Sequence, residues 1–206
     1  QIFLKVIPAI AAGSTCVLKP SEVSPLSAYV FSEIMHDAGV PPGVYNMLNG
    51  DGIGVGSQMS SHKDIDMISF TGSTRAGALI SKAASDTVKR VTLELGGKGA
   101  NIVFADADEK AVKRGTMHVF NNSGQSCNAP TRMLVERSYY DEAVEIAASI
   151  AKNHSVGDPA NEGPHMGAMS SGAHYDKVQN MIDIGIKEGA RLVAGGLGRP
   201  DGMNKG

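Results

Sequence analysis

At 206 residues the chain has room for one large domain or two small ones. A hydrophobic content of 42% with 25 glycines fits a globular α/β protein with many tight turns. The net charge is −2 and lysine and arginine are scattered, which gives no reason to expect nucleic acid or an anionic membrane as a partner.

Residues 2–12 place apolar side chains at 2, 3, 6, 7, 10 and 11, close to helical spacing, and Gly13 can end that helix. Thr15-Cys16-Val17-Leu18 reads as a short buried strand. Ser24-Pro25 is a helix start, cap then proline, for a helix to about Ala38, and Gly39 stops it. Val44 to Leu48 is the next strand, and Asn49 to Gly56 a glycine-rich turn into a short helix. Ile65 to Phe70 is a strand, with Gly72-Ser73 opening a helix toward Ala84. Val88 to Leu95 is another strand. This alternation predicts a mostly parallel sheet with helices on both faces.

Gly96-Gly97 is a natural hinge. It divides the chain into residues 1–96, expected to form one α/β unit, and residues 97–206, expected to be part of a second α/β domain. In the second half, Asn101 to Phe104 is a strand. Asp106 or Asp108 can cap a helix to about Asn121. Thr131 to Glu136 is a strand, Ser138 to Lys152 a helix, and Asp158-Pro159 a turn. Ser170 to Glu188 is a long amphipathic helix with Ala173, Val178, Met181, Ile182 and Ile186 as core residues. Arg191 to Ala194 is a strand, and 195–206 a glycine-rich loop. Gln1 is not an initiator methionine and the sequence opens in mid-helix, so both ends read as cut from a longer protein.

The two cysteines, Cys16 and Cys127, lie far apart and form no disulfide framework, which points to a reducing cytosol. No run reaches the ~18 apolar residues of a membrane span, and the first residues are not a signal peptide. The six histidines show no metal-binding spacing, so no metal is expected. Gly163 to Gly167, around His165, reads as a conformational turn.

Three places carry ligand signals. Gly50-Asp51-Gly52-Ile53-Gly54-Val55-Gly56 sits between strand and helix, the context of a phosphate-binding turn, but it does not spell G-x-G-x-x-G. It reads either as a nucleotide contact or as a plain turn. Phe70-Thr71-Gly72-Ser73 ends a strand with a glycine that admits close backbone approach and a serine at a helix N-terminus, which suits a pyrophosphate; the plainer reading is a capped helix. Lys19 and Glu22 follow a strand at its carboxyl end, where open α/β sheets bind ligands. A carboxylate there accepts from ribose hydroxyls and repels a 2′-phosphate, unless the two residues are simply a solvated surface pair.

Two more places carry reaction chemistry. Glu94 ends the apolar run Val91-Thr92-Leu93, an expensive place for a charge unless it serves a site or is paired, for example with Lys98. Cys127 lies in a small-residue polar loop, Asn121-Asn122-Ser123-Gly124-Gln125-Ser126-Cys127, open to a ligand. Cys16 instead lies in an apolar run. A thiol and a carboxylate are the two groups needed for covalent catalysis at a carbonyl.

Leu93-Glu94-Leu95-Gly96-Gly97-Lys98 and Gly124-Gln125-Ser126-Cys127, preceded in order by Leu18-Lys19-Pro20-Ser21-Glu22 and by Phe70 to Gly77, resemble the aldehyde dehydrogenase superfamily from Ile7 to Arg199. The resemblance implies a Rossmann-like domain followed by part of a catalytic domain. It implies NAD as cofactor, with NADP disfavoured by Glu22, held by Lys19, Glu22, Gly52, Gly56, Phe70, Gly72, Ser73, Leu95 and Gly96. It implies Cys127 as the nucleophile and Glu94 as the base that hydrolyses a thioester. Relatives that pass the acyl group to coenzyme A lack that glutamate. A small-molecule aldehyde, whether aliphatic, aromatic or a semialdehyde, is the implied substrate, oxidised to a carboxylic acid, and the complete protein is expected to be a homo-oligomer. The family's asparagine oxyanion donor and its nicotinamide-ribose glutamate are expected to lie outside this sequence. That leaves a second reading, a non-catalytic nucleotide-binding fragment of such an enzyme.

Overall fold

The computed structural model describes residues 1–204. Its strands are all in parallel pairs, each built from a strand, a helix and a second strand. The chain divides into two compact units, Gln1–Gly96 and Gly97–Gly206.

In the first unit, α1 (Ile2–Ala11) leads through Gly13, at φ +83°, into β1 (Cys16–Leu18). The helix α2 (Leu26–Asp37) then crosses to β2 (Tyr45–Met47), which pairs with β1 in register Val17 to Asn46. Ser24 makes no cap bond here. Pro25 takes the cap position, and its carbonyl accepts from the amides of Ala28 and Tyr29. Gly39, at φ +73°, reverses the chain after α2, a conformation that costs glycine little. Val6, Phe31 and Met35 form the buried centre, packed by Ile2, Ile10, Leu18, Val40 and Tyr45.

The second pair of this unit is β3 (Met67–Gly72) and β4 (Arg90–Leu95), joined by α4 (Thr74–Ser85) and preceded by α3 (Ser57–Ser61). The glycine-rich stretch before α3 is not a loose turn: Gly52–Gly56 coils as one wide helical turn, with Asp51 Oδ1 accepting from the Gly54 amide at 2.6 Å. Buried Gly77 lets α4 lie close on β4, because a Cβ there would stand 3.0 Å from a Leu95 methyl.

In the second unit, β5 (Ala100–Val103) pairs with β6 (Arg132–Val135). The helices α5 (Ala111–Phe120) and α6 (Tyr140–Asn153) pack on them around Val103, Val112 and Ala143. Neither Asp106 nor Asp108 is the cap residue of α5. Lys110 is, although Asp108 Oδ1 accepts from its amide at 2.8 Å.

Two further sequence expectations fail in this unit. The helix α7 (Gly172–Lys187) forms, capped by Ser171, but none of its residues is buried. Of its expected core residues, Ala173, Met181 and Ile186 are exposed and Val178 and Ile182 half-buried. Apart from the tail that lays Arg199 over Tyr175 and ties the Gly198 amide to Gln179, little covers it. Arg191 to Ala194 forms no strand, because no second strand hydrogen-bonds it among the described residues, and Leu192 and Val193 are exposed. Residues 195–204 are loop as expected, and Lys205 and Gly206 lie outside the described residues. The chain exposes 14206 Å². Two free-standing globules of half its mass would together expose about 11,000 Å². The excess includes apolar side chains such as Phe3, Leu4, Tyr29, Val30 and Met181.

Candidate active site

The first unit gathers Lys19, Glu22 and the Gly50–Gly56 turn at the carboxyl end of β1. Three oxygens hold the largely shielded ammonium of Lys19: the carbonyls of Pro20 at 2.6 Å and Gly50 at 2.9 Å, and the Glu22 carboxylate at 3.3 Å. Its methylenes run along Gly56, where a Cβ would lie 3.9 Å away, whereas Gly52 faces open space. Glu22 stays exposed. Its own backbone amide and then Lys19 hold its carboxyl below the usual range. Lys19 and Glu22 therefore form an ion pair whose lysine is largely shielded and whose carboxylate side is exposed.

Further along, β3 delivers Phe70 and Gly72 to the start of α4. The Phe70 ring folds over Gly72 so closely that a Cβ there would stand 2.4 Å from Cζ. Ser73 caps the helix, its Oγ accepting from the Ala76 amide at 3.2 Å. The amides of Thr74 and Arg75 keep no partner among the described residues, and open helix-start amides are the donors an anionic phosphate needs. Glu94 stands opposite Thr71 in the β3–β4 ladder, and half-buried Leu95 opposite Gly72. The Glu94 side chain is exposed and makes no ion pair or hydrogen bond among the described residues. Gly96 is exposed and has open space at its Cα.

In the second unit the chain leaves α5 at Phe120, whose ring stacks on His154 at 4.6 Å. It then makes a tight turn, Asn121–Gly124, in which Asn122 (φ 52°), Ser123 (φ 56°) and Gly124 (φ 73°) are all left-handed. That conformation costs a non-glycine residue roughly 1–2 kcal/mol. Cys127 follows three residues after the turn, free and exposed, with Ala129 buried just beyond it. By contrast Cys16 is half-buried, and burial raises its thiol pKa, which favours the inert thiol form. An open groove between α6 and Arg191–Val193 contains none of the expected site residues. Among the described residues no cluster of three or more His, Cys, Asp or Glu could hold a metal, and no helix is long and apolar enough to cross a membrane. Sequence reasoning missed the second partner of the Cys127 loop, the stretch Gly167–Ser170. The hydrogen bonds that join them span over forty residues and leave no local signal.

The chain thus joins parallel α/β units to an exposed loop cysteine, a strand-end carboxylate with no partner among the described residues, and open helix-start amides. The aldehyde dehydrogenase family model matches residues 1–206, and the chain belongs to that family. It is 56% identical to a 3-succinoylsemialdehyde-pyridine dehydrogenase of a Pseudomonas species, over all of this chain and 43% of that protein. An aldehyde dehydrogenase crystal structure from Bartonella henselae superposes with a TM-score of 0.99 at 60% identity, over all of this chain and 43% of that one. A cysteine-to-alanine mutant of an aldehyde dehydrogenase from Pseudomonas syringae, complexed with NAD+ and octanal, superposes at 0.95 with 56% identity, over 98% of this chain and 42% of that one. The chain therefore spans well under half the length of the relatives it matches.

Proposed function

We propose that this chain is the part of an NAD-dependent aldehyde dehydrogenase that carries the nucleophile, the hydrolytic base and much of the dinucleotide site. Residues 1–96 serve as part of the dinucleotide-binding domain and residues 97–206 as part of the catalytic domain. The observation that carries the reading is the exposed Cys127, three residues after a strained left-handed turn.

The residues present fit NAD. Gly72 lies under the Phe70 ring where a Cβ has no room, and the amides of Thr74 and Arg75, without partners among the described residues, suit a pyrophosphate. The Glu22 carboxylate suits ribose hydroxyls and disfavours a 2′-phosphate, and Lys19 holds it in place. Gly52, Gly56, Ser73, Leu95 and Gly96 complete the contact set. When bound, NAD supplies the acceptor for the hydride that leaves the substrate carbon.

Cys127 acts as thiolate. It adds to the aldehyde carbonyl, forming a C–S bond and an oxyanion that its own backbone amide stabilises as one donor. Hydride loss turns this thiohemiacetal into a thioester. Glu94 then takes a proton from water, the hydroxide adds to the thioester carbon, and the C–S bond breaks to give free thiolate and a carboxylic acid; the acid and Glu94 release their protons to solvent. Among the described residues no base pairs with Glu94, which leaves its carboxylate open to a water and supports this role.

Named or bound aldehydes among the relatives include a pyridyl semialdehyde and octanal, so the shared chemistry is the aldehyde carbonyl. The uncovered apolar faces support a complete protein in which further chain or a second copy covers them, as in a homo-oligomer, and the two free cysteines suit a reducing cytosol. The test is aldehyde-dependent NAD reduction by this chain with Cys127→Ala as control. Turnover that vanishes in the control supports the catalytic reading. A folded chain that binds NAD without turnover supports the second reading, a non-catalytic fragment of the enzyme.

A further inference from the structure

The turn that presents Cys127 has three successive left-handed residues, two of them not glycine. Such a turn persists only where its surroundings over-determine it. Two side chains supply that constraint, and both reach one distant stretch. Ser123 Oγ donates to the Gly167 carbonyl at 2.9 Å. Gln125 Oε1 accepts from the Ser170 amide at 2.8 Å, and its Nε2 donates to the Asn122 carbonyl at 3.1 Å. A single orientation of the Gln125 amide satisfies both bonds, since a backbone amide can only donate and a carbonyl only accept. The backbone adds Gln125 N–H to Asn122 O at 3.1 Å. One residue beyond this stretch, Ser171 caps α7 through the His174 amide. The nucleophile turn is thus fastened from inside, across itself, and from outside, to the lead-in of α7.

We propose that Gln125 and Ser123 are positioning residues that hold the Cys127 turn in its left-handed form by clamping it to Gly167–Ser170. This rests on the reading of Cys127 as nucleophile. Without the clamp the turn relaxes toward right-handed or extended backbone, and Cys127 moves relative to the carbonyl it attacks. Misplacing a reacting group by about an ångström costs on the order of a hundredfold in rate. The dinucleotide contacts lie outside this turn, so NAD binding stays as it was.

The test uses the full-length chain with Gln125→Ala, Gln125→Glu, Ser123→Ala and the control Cys127→Ala. Gln125→Glu keeps the acceptor for Ser170 and loses the donor to Asn122. The expected result is a fall in kcat of about ten- to a hundredfold in Gln125→Ala. KM for NAD stays within about twofold, and Gln125→Glu recovers part of the rate. Ser123→Ala falls in the same direction. The proposal is overturned if kcat holds within about twofold in both alanine variants. It is also overturned if kcat, NAD binding and thermal midpoint fall together, which marks general loss of fold. An active Cys127→Ala would sink the nucleophile reading, and this proposal with it. An inactive Cys127→Ala beside a fully active Gln125→Ala would sink the clamp alone.

Discussion

Gly115, in the middle of α5, is where the helix meets the strand beneath it. A Cβ at Gly115 would fall 2.1 Å from Asn101 Nδ2, 3.1 Å from Met133 Cε and 3.3 Å from Asn101 Cγ. Ordinary contact begins near 3.4 Å, so Gly115→Ala forces the Asn101 amide or the helix to move by more than an ångström. Alanine gains about 1 kcal/mol over glycine in a helix interior. Overpacking of this kind costs about 1–3 kcal/mol. The balance is a net loss of about 1 kcal/mol, or several degrees in the thermal midpoint for a unit of this size. Asn101→Ala removes two of the three close contacts. In that background Gly115→Ala should become neutral or stabilising, a coupling of about 1–2 kcal/mol between adjacent sites. Urea unfolding of the two single variants and the double variant measures it. If Gly115→Ala raises the parent's stability by the full helix-propensity gain, or the two changes simply add, the crowding argument is wrong.

Three further outcomes follow from the site. Glu94→Gln should release one equivalent of NADH per site in a burst and then slow by on the order of a hundred- to ten-thousandfold, because the thioester forms but its water is not activated; stopped-flow absorbance at 340 nm follows it. Glu22→Gln should narrow the preference for NAD over NADP by about five- to tenfold, since two unit charges 4 Å apart repel by about 1 kcal/mol even in water; the ratio of kcat/KM values reads it. Glu136 accepts from the Ala105 amide at 2.8 Å and from Ser138 at 3.0 Å, and these bonds hold its carboxyl below the usual range. A depressed folded pKa stabilises the protein above the unfolded value of about 4.3, and that contribution disappears as the pH falls through the folded value. Glu136→Gln should therefore be less stable than the parent at pH 7 and converge with it at strongly acidic pH, as urea unfolding against pH will show.

Much of the local fold was readable because local rules decide it. Helical spacing and Gly13 bounded α1, Gly39 ended α2, and the strand–helix–strand order required parallel pairs. Ser73 capped α4 as its place in Gly72-Ser73-Thr74 suggests. The failures lie where a neighbour decides. Met181 and Ile186 carry the pattern of a buried stripe, but both stay exposed. Leu192 and Val193 are apolar enough for a strand, yet a strand needs a partner to accept its hydrogen bonds. Asp51 turned an apparent glycine loop into a capped helical turn, a side-chain bond that glycine counting cannot show. At the site, the sequence marked Cys127 and Glu94 by residue type and setting. The left-handed backbone of Asn122 and Ser123, and its fastening to Gly167 and Ser170, depend on contacts more than forty residues away.

The central claim is that Cys127 forms the covalent link to substrate. The most direct measurement is peptide mass spectrometry of Glu94→Gln quenched in acid after mixing with aldehyde and NAD. The account predicts an acyl mass on the peptide that contains Cys127, absent without NAD and absent in the Cys127→Ala, Glu94→Gln double variant. An acyl adduct on another residue, or turnover that persists in Cys127→Ala, would contradict it.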